Sequence, residues 1–399
     1  MNVSAEARMG RVVAALLFLT LGGFAIGCNE FVAMGVLPQV AREFTDGGVD
    51  AEASGNAAVF VWGYAAGVVL GAPTIGPWAR RYSPRTFLTA SLLAMAVLTI
   101  AVTLAPTGEA VIVFRMLSAL FHAAFVGVAA LTAGRLLGRQ HAARGVAIAL
   151  GGLSIASLVG APAGTWLGQF AGWRVSYLVI GIIFIVAAIG CAVSLRSSTP
   201  ATSARSSWRD LRNGRLWATI VVFAFINGGG FAIITFVAAL MTDVGGVTGL
   251  WIAVAVGAVG AGMTVGNYVG GALADRHRGA ALTLGLATLV SAFLAFAVAG
   301  VPPVSVIGFA LAGFALGALG PYSQTELTRA SPANPELGSS MNSLAANAGS
   351  VLGGTLGAAA ILTTGEAVGA LGTGIALLSA GIFALGVRHR RVYTASDGI

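Results

Sequence analysis

The sequence predicts an all-α polytopic membrane protein whose twelve transmembrane helices form two pseudo-symmetric six-helix bundles. Three observations carry that reading. Hydrophobic residues make up 57% of the 399 and charged residues only 9%, whereas soluble domains carry roughly 25% charged residues. Apolar runs of about 18 residues or more recur along the chain, each long enough to cross about 30 Å of hydrocarbon as a helix. Nearly all of the charge falls in short segments between those runs. Lipid admits only helices or closed barrels, and the runs lack the two-residue alternation of a barrel strand.

In chain order the spans are expected at about 12–37, 55–76, 86–106, 110–135, 145–169 and 174–195, then at about 216–241, 250–272, 280–300, 304–328, 339–363 and 367–387. The first is too long for the apolar region of a signal peptide, and no small-residue cleavage site follows it; it is expected to stay as a helix. Arg80, Arg81 and Arg85 separate the second from the third, and Arg135, Arg139 and Arg144 separate the fourth from the fifth. The fourth holds Arg115 within it. The fifth is Gly-rich and contains Pro162, which permits close packing and a local bend. After the sixth comes the longest polar stretch inside the chain, about 196–215, rich in Ser and Thr with an Arg-rich end, which reads as a flexible linker. The expected organisation is a first bundle over 1–196, a cytoplasmic linker over 197–214, and a second bundle with a cytoplasmic tail over 215–399.

The charge pattern tests the helix count. All 22 basic residues are Arg, and the net charge is +8. Nineteen fall in one alternating set of segments, from Arg8 and Arg11 to Arg388, Arg390 and Arg391, and only Arg42 and Arg174 in the other. One missed helix would scramble that asymmetry. The positive-inside rule puts both termini in the cytoplasm, with the protein in the cell inner (plasma) membrane. The basicity therefore reports topology, and no nucleic-acid partner is expected; the bilayer is the partner. Cys28 and Cys191 lie inside apolar runs, where they read as small buried hydrophobes rather than a disulfide.

A weak internal repeat supports two halves. Gly71, seven residues and Ala79-Arg80-Arg81 align with Gly266, seven residues and Ala274-Asp275-Arg276, an offset of 195 residues (266 − 71). Parallel repeats with a binding site near the bilayer midplane are a transporter architecture.

The loop Gly266-Asn267-Tyr268-Val269-Gly270-Gly271-Ala272-Leu273-Ala274-Asp275-Arg276 resembles the signature cytoplasmic loop of the major facilitator superfamily. The first-half copy departs from it, with Arg80 where the acid would stand and Gly71-Ala72-Pro73 at its start. Gly160-Ala161-Pro162-Ala163-Gly164, with Gly168 and then Gly172-Trp173-Arg174, resembles the antiporter motif of the twelve-helix drug:proton antiporters. Asn29-Glu30-Phe31 with Gly35 and Leu37-Pro38 resembles the branch that holds chloramphenicol and arabinose-type sugar efflux proteins, Arg115 with Gly127 resembles the fourth-helix motif built on an intramembrane Arg, and Ile226-Asn227-Gly228-Gly229-Gly230-Phe231 is similar to chloramphenicol exporters in particular. The resemblance spans the whole chain. It implies the major facilitator fold, alternating access, a monomer, no cofactor, and a proton gradient as energy source.

Charged residues at membrane depth are costly and mark function by default. Glu30 and Arg115 both fall in the outer half of the bilayer, where they can pair across the first bundle. Glu30 is then the proton-coupling acid, neutralised from outside and recharged toward the cytoplasm; the other reading is a static ion pair. His122, two turns from Arg115 on the same helix face, is placed to relay protons or to satisfy an interhelical contact. A drug pocket is mostly apolar with a few polar groups; its candidates are Asn29, Phe31, Asn56, Phe60, Tyr64, Asn227, Phe231, Asn342 and Asn347, each of which also reads as packing. The conformational set is Gly71, Arg81, Gly160, Pro162, Gly164, Gly168, Gly266, Asp275 and Arg276, with Glu326 as a cytoplasmic gate or loop partner, for instance of Arg329. Asp243, Glu43, Asp46, Asp50, Glu52, Glu109 and Glu366 read as exposed external or interfacial charges.

There is no GxxxxGK[ST] phosphate loop for ATP and no Cys/His cluster with metal-ligand spacing. An enzyme is not expected, since Glu30, Arg115 and His122 lack a nucleophile or metal partner. The expected function is proton-coupled secondary transport, exporting a small amphiphilic drug like chloramphenicol. The alternatives are a sugar or metabolite exporter of the same family, an uncoupled uniporter, and a non-transport membrane enzyme or sensor.

Overall fold

The computed structural model describes residues 3–44, 55–196, 211–237, 240–241, 250–297 and 302–396. Among the described residues there is no strand. The helices are α1 (Val3–Phe44), α2 (Gly55–Ile75), α3 (Pro84–Thr103), α4 (Gly108–Leu137), α5 (Ala142–Ile155), α6 (Ala161–Ala171), α7 (Trp173–Ser194), α8 (Gly214–Ile234), α9 (Leu250–Arg276), α10 (Arg278–Ala297), α11 (Pro302–Ala330), α12 (Pro335–Thr364) and α13 (Val368–Ser396). A π turn over Ala156–Gly160 joins α5 to α6, so these two make one rod and the twelve expected helices are all present. Ten of the described helical stretches are long and apolar enough to cross a membrane by length and composition.

Their ends follow from local chemistry. Ser83 caps α3, its Oγ accepting from Thr86 N at 3.2 Å, with Pro84 in the first turn. Thr107 caps α4 in the same way. Asn213 accepts from Arg215 N and Leu216 N to cap α8, and its Nδ2 donates to the Ala330 carbonyl at 2.7 Å at the end of α11. Gly172 breaks α6 from α7 at φ +93°, a left-handed conformation that favours glycine.

Two compact units are distinguished, one of Met1–Asp210 with Pro332–Ser343, the other of Leu211–Ser331 with Leu344–Ile399. The first therefore takes in the start of α12. Ser339 Oγ donates to the Gly127 carbonyl at 2.7 Å, and Arg135 pairs with Glu336 at 3.3 Å. A Cβ on Gly127 would lie 2.5 Å from Ser340 N, so this approach requires glycine there. The core of the first unit runs through Leu19, Ile26, Val32, Leu92, Met95, Phe125 and Phe184. In the second unit Phe296 meets Phe309 edge-on at 4.8 Å and Phe223 meets Tyr322 at 6.0 Å.

Each unit has a helix pair in close backbone contact. In the first, Gly67 and Gly71 of α2 face the carbonyls of Met116 and Leu120 in α4; an added Cβ would sit 2.3 and 2.0 Å from them. In the second, Gly262 and Gly266 of α9 face the carbonyls of Ala310 and Phe314 in α11, at 2.2 and 2.1 Å. Small residues four apart let backbones touch where lipid supplies no hydrophobic drive. Gly262 and Gly266 stand 195 residues after Gly67 and Gly71 (262 − 67, 266 − 71), so the repeat seen in the loops extends into the packing.

The rod of α5 and α6 lies along α1. Gly152 faces the Thr20 carbonyl, while Gly160, Gly164 and Gly168 face Cys28, Val32 and Val36. Pro162 cannot donate to a carbonyl one turn back. The π turn just before it resets the hydrogen-bond ladder at that point.

Candidate functional site

Asn29 and Glu30 lie two-thirds of the way along α1, facing α2 and α4. Arg115, Ser118 and His122 recur at three- and four-residue steps, which sets them on one face of α4. Arg115 is buried, with 1% of its surface exposed. Its Nη1 donates to the Asn29 carbonyl at 3.1 Å and to the hydroxyl of Tyr177 in α7. The guanidinium lies over two rings, 5.3 Å from the centre of Tyr64 and 5.4 Å from that of Tyr177, a cation–π arrangement on both.

The same face continues the network. Asn29 Nδ2 donates to Ser118 Oγ at 3.4 Å, and its side chain also hydrogen-bonds Tyr64. Tyr64 Oη is hydrogen-bonded to His122 Nδ1 at 3.2 Å. Asn29 Oδ1 is buried without a hydrogen-bond partner among the described residues. Glu30 is half-buried beside this group, and its charge acts on Arg115 and Tyr64.

Five residues singled out in the sequence, Asn29, Glu30, Tyr64, Arg115 and His122, thus come together. The hydrogen bonds of Arg115 given above run to the α1 backbone and to Tyr177, while Glu30 reaches it through charge. Phe31 is half-buried on α1. Asn56 and Phe60 lie on α2, and their side chains are outside the described set. Asn227 donates to the Phe223 carbonyl of its own helix at 2.7 Å. Phe231 is half-buried on α8, and Asn342 and Asn347 are half-buried on α12.

Gly71, Gly266, Gly160, Gly164, Gly168 and Pro162 hold the packing positions already described. Arg81 is exposed and lies 5.6 Å over the Trp78 ring. Asp275 is half-buried and Arg276 exposed at the end of α9. Glu326 pairs with Arg278, at the α9–α10 turn. Arg329 stands exposed on the helix that carries Glu326, while the turn brings Arg278 over it.

At the other end of the first unit Glu43 is more than an exposed charge. Arg174 Nη1 reaches both of its carboxylate oxygens, at 2.6 and 2.5 Å, and Trp173 Nε1 donates to it at 2.8 Å. Arg174 also donates to the Thr103 carbonyl at 3.1 Å and stacks on Trp173 at 4.4 Å. Its hydrogen bonds, with that of Trp173, hold the Glu43 carboxyl below the usual carboxylate range. Glu109 and Glu366 are exposed, and Asp46, Asp50, Glu52 and Asp243 lie outside the described residues.

Sequence reasoning missed Ser118, Tyr177 and the Glu43 clamp. The usable signals were spacings: Ser118 one turn after Arg115, and Tyr177 one turn after Trp173.

The sequence profile of the Major Facilitator Superfamily matches residues 19–334. The Escherichia coli K12 inner membrane transport protein YdhP is 30% identical over 379 residues, covering 91% of this chain and 94% of its own. The Streptomyces lividans chloramphenicol resistance protein is 30% identical over 365 residues, covering 90% and 91%. Among solved structures, the E. coli fucose:proton symporter FucP superposes with a TM-score of 0.71 at 14% identity, covering 94% of this chain and 98% of that one. The human organic anion transporter MFSD10 superposes with a TM-score of 0.72 at 18% identity, covering 95% and 99%. At those identities the likeness is one of fold.

Proposed function

The chain belongs to the Major Facilitator Superfamily, and from that premise we propose that it is a proton-coupled exporter of a small amphiphilic drug of the chloramphenicol kind. It is a multi-pass membrane transporter, not an enzyme. The observation that carries the coupled reading is the buried Arg115 network beside Glu30. A charged side chain at the helix centre costs about 2.5–3.5 kcal/mol on insertion scales. Two such groups side by side within apolar helices are therefore read as functional.

In this reading Glu30 takes a proton from outside, and its loss of charge changes the field at Arg115 and so the hold of α4 on α1. That biases the alternation of the two halves, 1–196 and 215–399. Proton release to the cytoplasm recharges Glu30 when drug has bound, so drug and proton compete for one state. Both termini face the cytoplasm, and the monomer is the working unit. The drug class rests on a relative named for chloramphenicol resistance and on a candidate pocket of amide and aromatic groups with few hydroxyls.

The test is accumulation of labelled chloramphenicol in drug-sensitive cells carrying vector, this protein or Glu30→Gln, each with and without an uncoupler. Lowered accumulation that both the uncoupler and Glu30→Gln abolish is the expected result. Accumulation that never changes, with the protein present in the membrane, removes the drug class. Lowered accumulation that survives Glu30→Gln removes Glu30 as coupling acid.

A further inference from the structure

Tyr177 and Trp173 are unused by the reading above. Tyr177 is fully buried in α7 and accepts from Arg115. Its ring meets that of Trp173 edge-on at 6.0 Å, at an interplanar angle of 81°. Trp173 is itself buried and is gripped on its far side by Glu43, Arg174 and the edge of Phe44. A line of contacts therefore runs from an ion pair near the surface through two rings to the guanidinium beside Glu30.

Both ends of that line rest on α1. Glu43 ends the helix, and Asn29 lies about 21 Å back along it at ~1.5 Å per residue. The joint between α1 and α7 is pinned twice, and the inner pin is Arg115. A guanidinium presents its N–H donors in a rigid fork, so where it sits depends on which acceptors hold it. With its Nη1 directed at the Asn29 carbonyl and the Tyr177 phenol, the place of the guanidinium depends on that phenol as well as on the α1 backbone. A phenylalanine would keep the ring faces and remove only that acceptor.

We propose that Tyr177 is a positioning residue of the coupling site, holding Arg115 in the place from which it tunes proton binding at Glu30, with Trp173 as its brace. This rests on the coupling role proposed for Glu30. Arg115 of α4 and Tyr64 of α2 interact with Glu30 through charge; Tyr177 of α7 and His122 of α4 lie against those two side chains, and Cys28 of α1 faces α6. The α6 face that packs on this part of α1 presents Gly160 and Gly164, which do not titrate.

Infrared titration of the purified protein in lipid tests it without reference to any drug. The Glu30 carboxylic-acid band is assigned by its loss in Glu30→Gln, and its midpoint pH is compared in wild type, Tyr177→Phe, Trp173→Phe, Arg115→Gln and the Tyr177→Phe/Arg115→Gln double variant. Tyr177→Phe should displace the midpoint by about one unit, tenfold in proton affinity. Trp173→Phe, which loses the N–H bond to Glu43 and part of the ring set against Tyr177 and Arg174, should displace it less, and Tyr177→Phe should add nothing once Arg115 is Gln. An undisplaced midpoint in folded Tyr177→Phe, or an equal displacement with and without Arg115, overturns the positioning role while leaving Glu30 as coupling acid. A band that Glu30→Gln does not remove overturns both.

Discussion

Two arginines show how burial decides what a charge does. Arg115 is enclosed, so its charge is met by protein rather than water: the Asn29 carbonyl and the Tyr177 hydroxyl accept from Nη1, and the guanidinium lies over the rings of Tyr64 and Tyr177. Arg174 keeps 37% of its side-chain surface exposed and Glu43 keeps 40%, so screening removes most of their attraction despite the two-pronged geometry. Glu43→Gln is expected to lower stability by no more than about 0.5–1 kcal/mol near neutral pH. The sign with pH follows from the depressed carboxyl. Its contribution is fully present above the ordinary Glu value of about 4.3 and is lost as pH falls through the lower value of the folded state. Thermal melts in detergent should therefore show wild type and Glu43→Gln converging on acidification; a gap that widens would contradict the ion pair as its source. Glu30, Arg115 and His122 were legible in the sequence because ionisable residues stand out in apolar runs. Tyr177 was not, since a lone tyrosine in such a run reads as packing until a buried cation is found against its hydroxyl. Glu43 was not either, because nothing in sequence places it beside Arg174, 131 residues away.

Among the elements, most helices were legible to within a few residues because hydropathy and charge punctuate them and because Ser83-Pro84, Thr107, Asn213 and Gly172 are end signals in themselves; α1 and α13 run well past their expected apolar spans into polar ends, and α8 stops short of its own. The π turn at Ala156–Gly160 was not; Pro162 announces a disturbed ladder but does not say whether the rod kinks, breaks or takes in one extra residue. The glycine stripes were half legible. Gly71 and Gly266 were visible as a repeat, but the reason for them is the carbonyl each one meets. Gly71→Ala and Gly266→Ala would each drive a methyl to within 2.0 and 2.1 Å of a backbone oxygen. Backbone cannot rotate away as a side chain does, so each should cost about 1–3 kcal/mol by overpacking. Gly257 lies on α9, the same helix as Gly266, and nothing lies within 4 Å of its added Cβ. Gly257→Ala should be neutral or stabilise by up to about 1 kcal/mol, because alanine restricts the unfolded chain. Melting temperatures of the three variants in one detergent check this; equal changes at Gly257 and Gly266 would mean that the α9–α11 contact does not govern the stripe.

At the scale of the whole chain the loop repeat and the central polar stretch predict a two-fold plan, and the glycine contacts within the two units keep the same 195-residue offset. The sequence did not carry the grouping of Pro332–Ser343 with the first unit, which depends on the contacts of Gly127 and Arg135 far away in sequence. The orientation in the bilayer rests on a different kind of evidence, the nineteen-to-two division of arginines between alternating segments. That division acts during insertion, when basic segments resist transfer across the membrane, and no later packing step needs it. It therefore makes a prediction independent of every contact described above. With Cys28 and Cys191 replaced by alanine, a single cysteine at Ser206 in the central polar stretch should be shielded from a membrane-impermeant thiol reagent in intact cells and react after the membrane is opened. Single cysteines at Thr107, before α4, and at Glu366, between α12 and α13, should react in intact cells. Reversed labelling at all three sites would invert the molecule and place the Glu43–Arg174 clamp on the cytoplasmic side. Labelling that follows the expected side at Thr107 and Ser206 but not at Glu366 would mean that the second bundle does not hold six spans, because the parity of helices between Ser206 and Glu366 would then be broken.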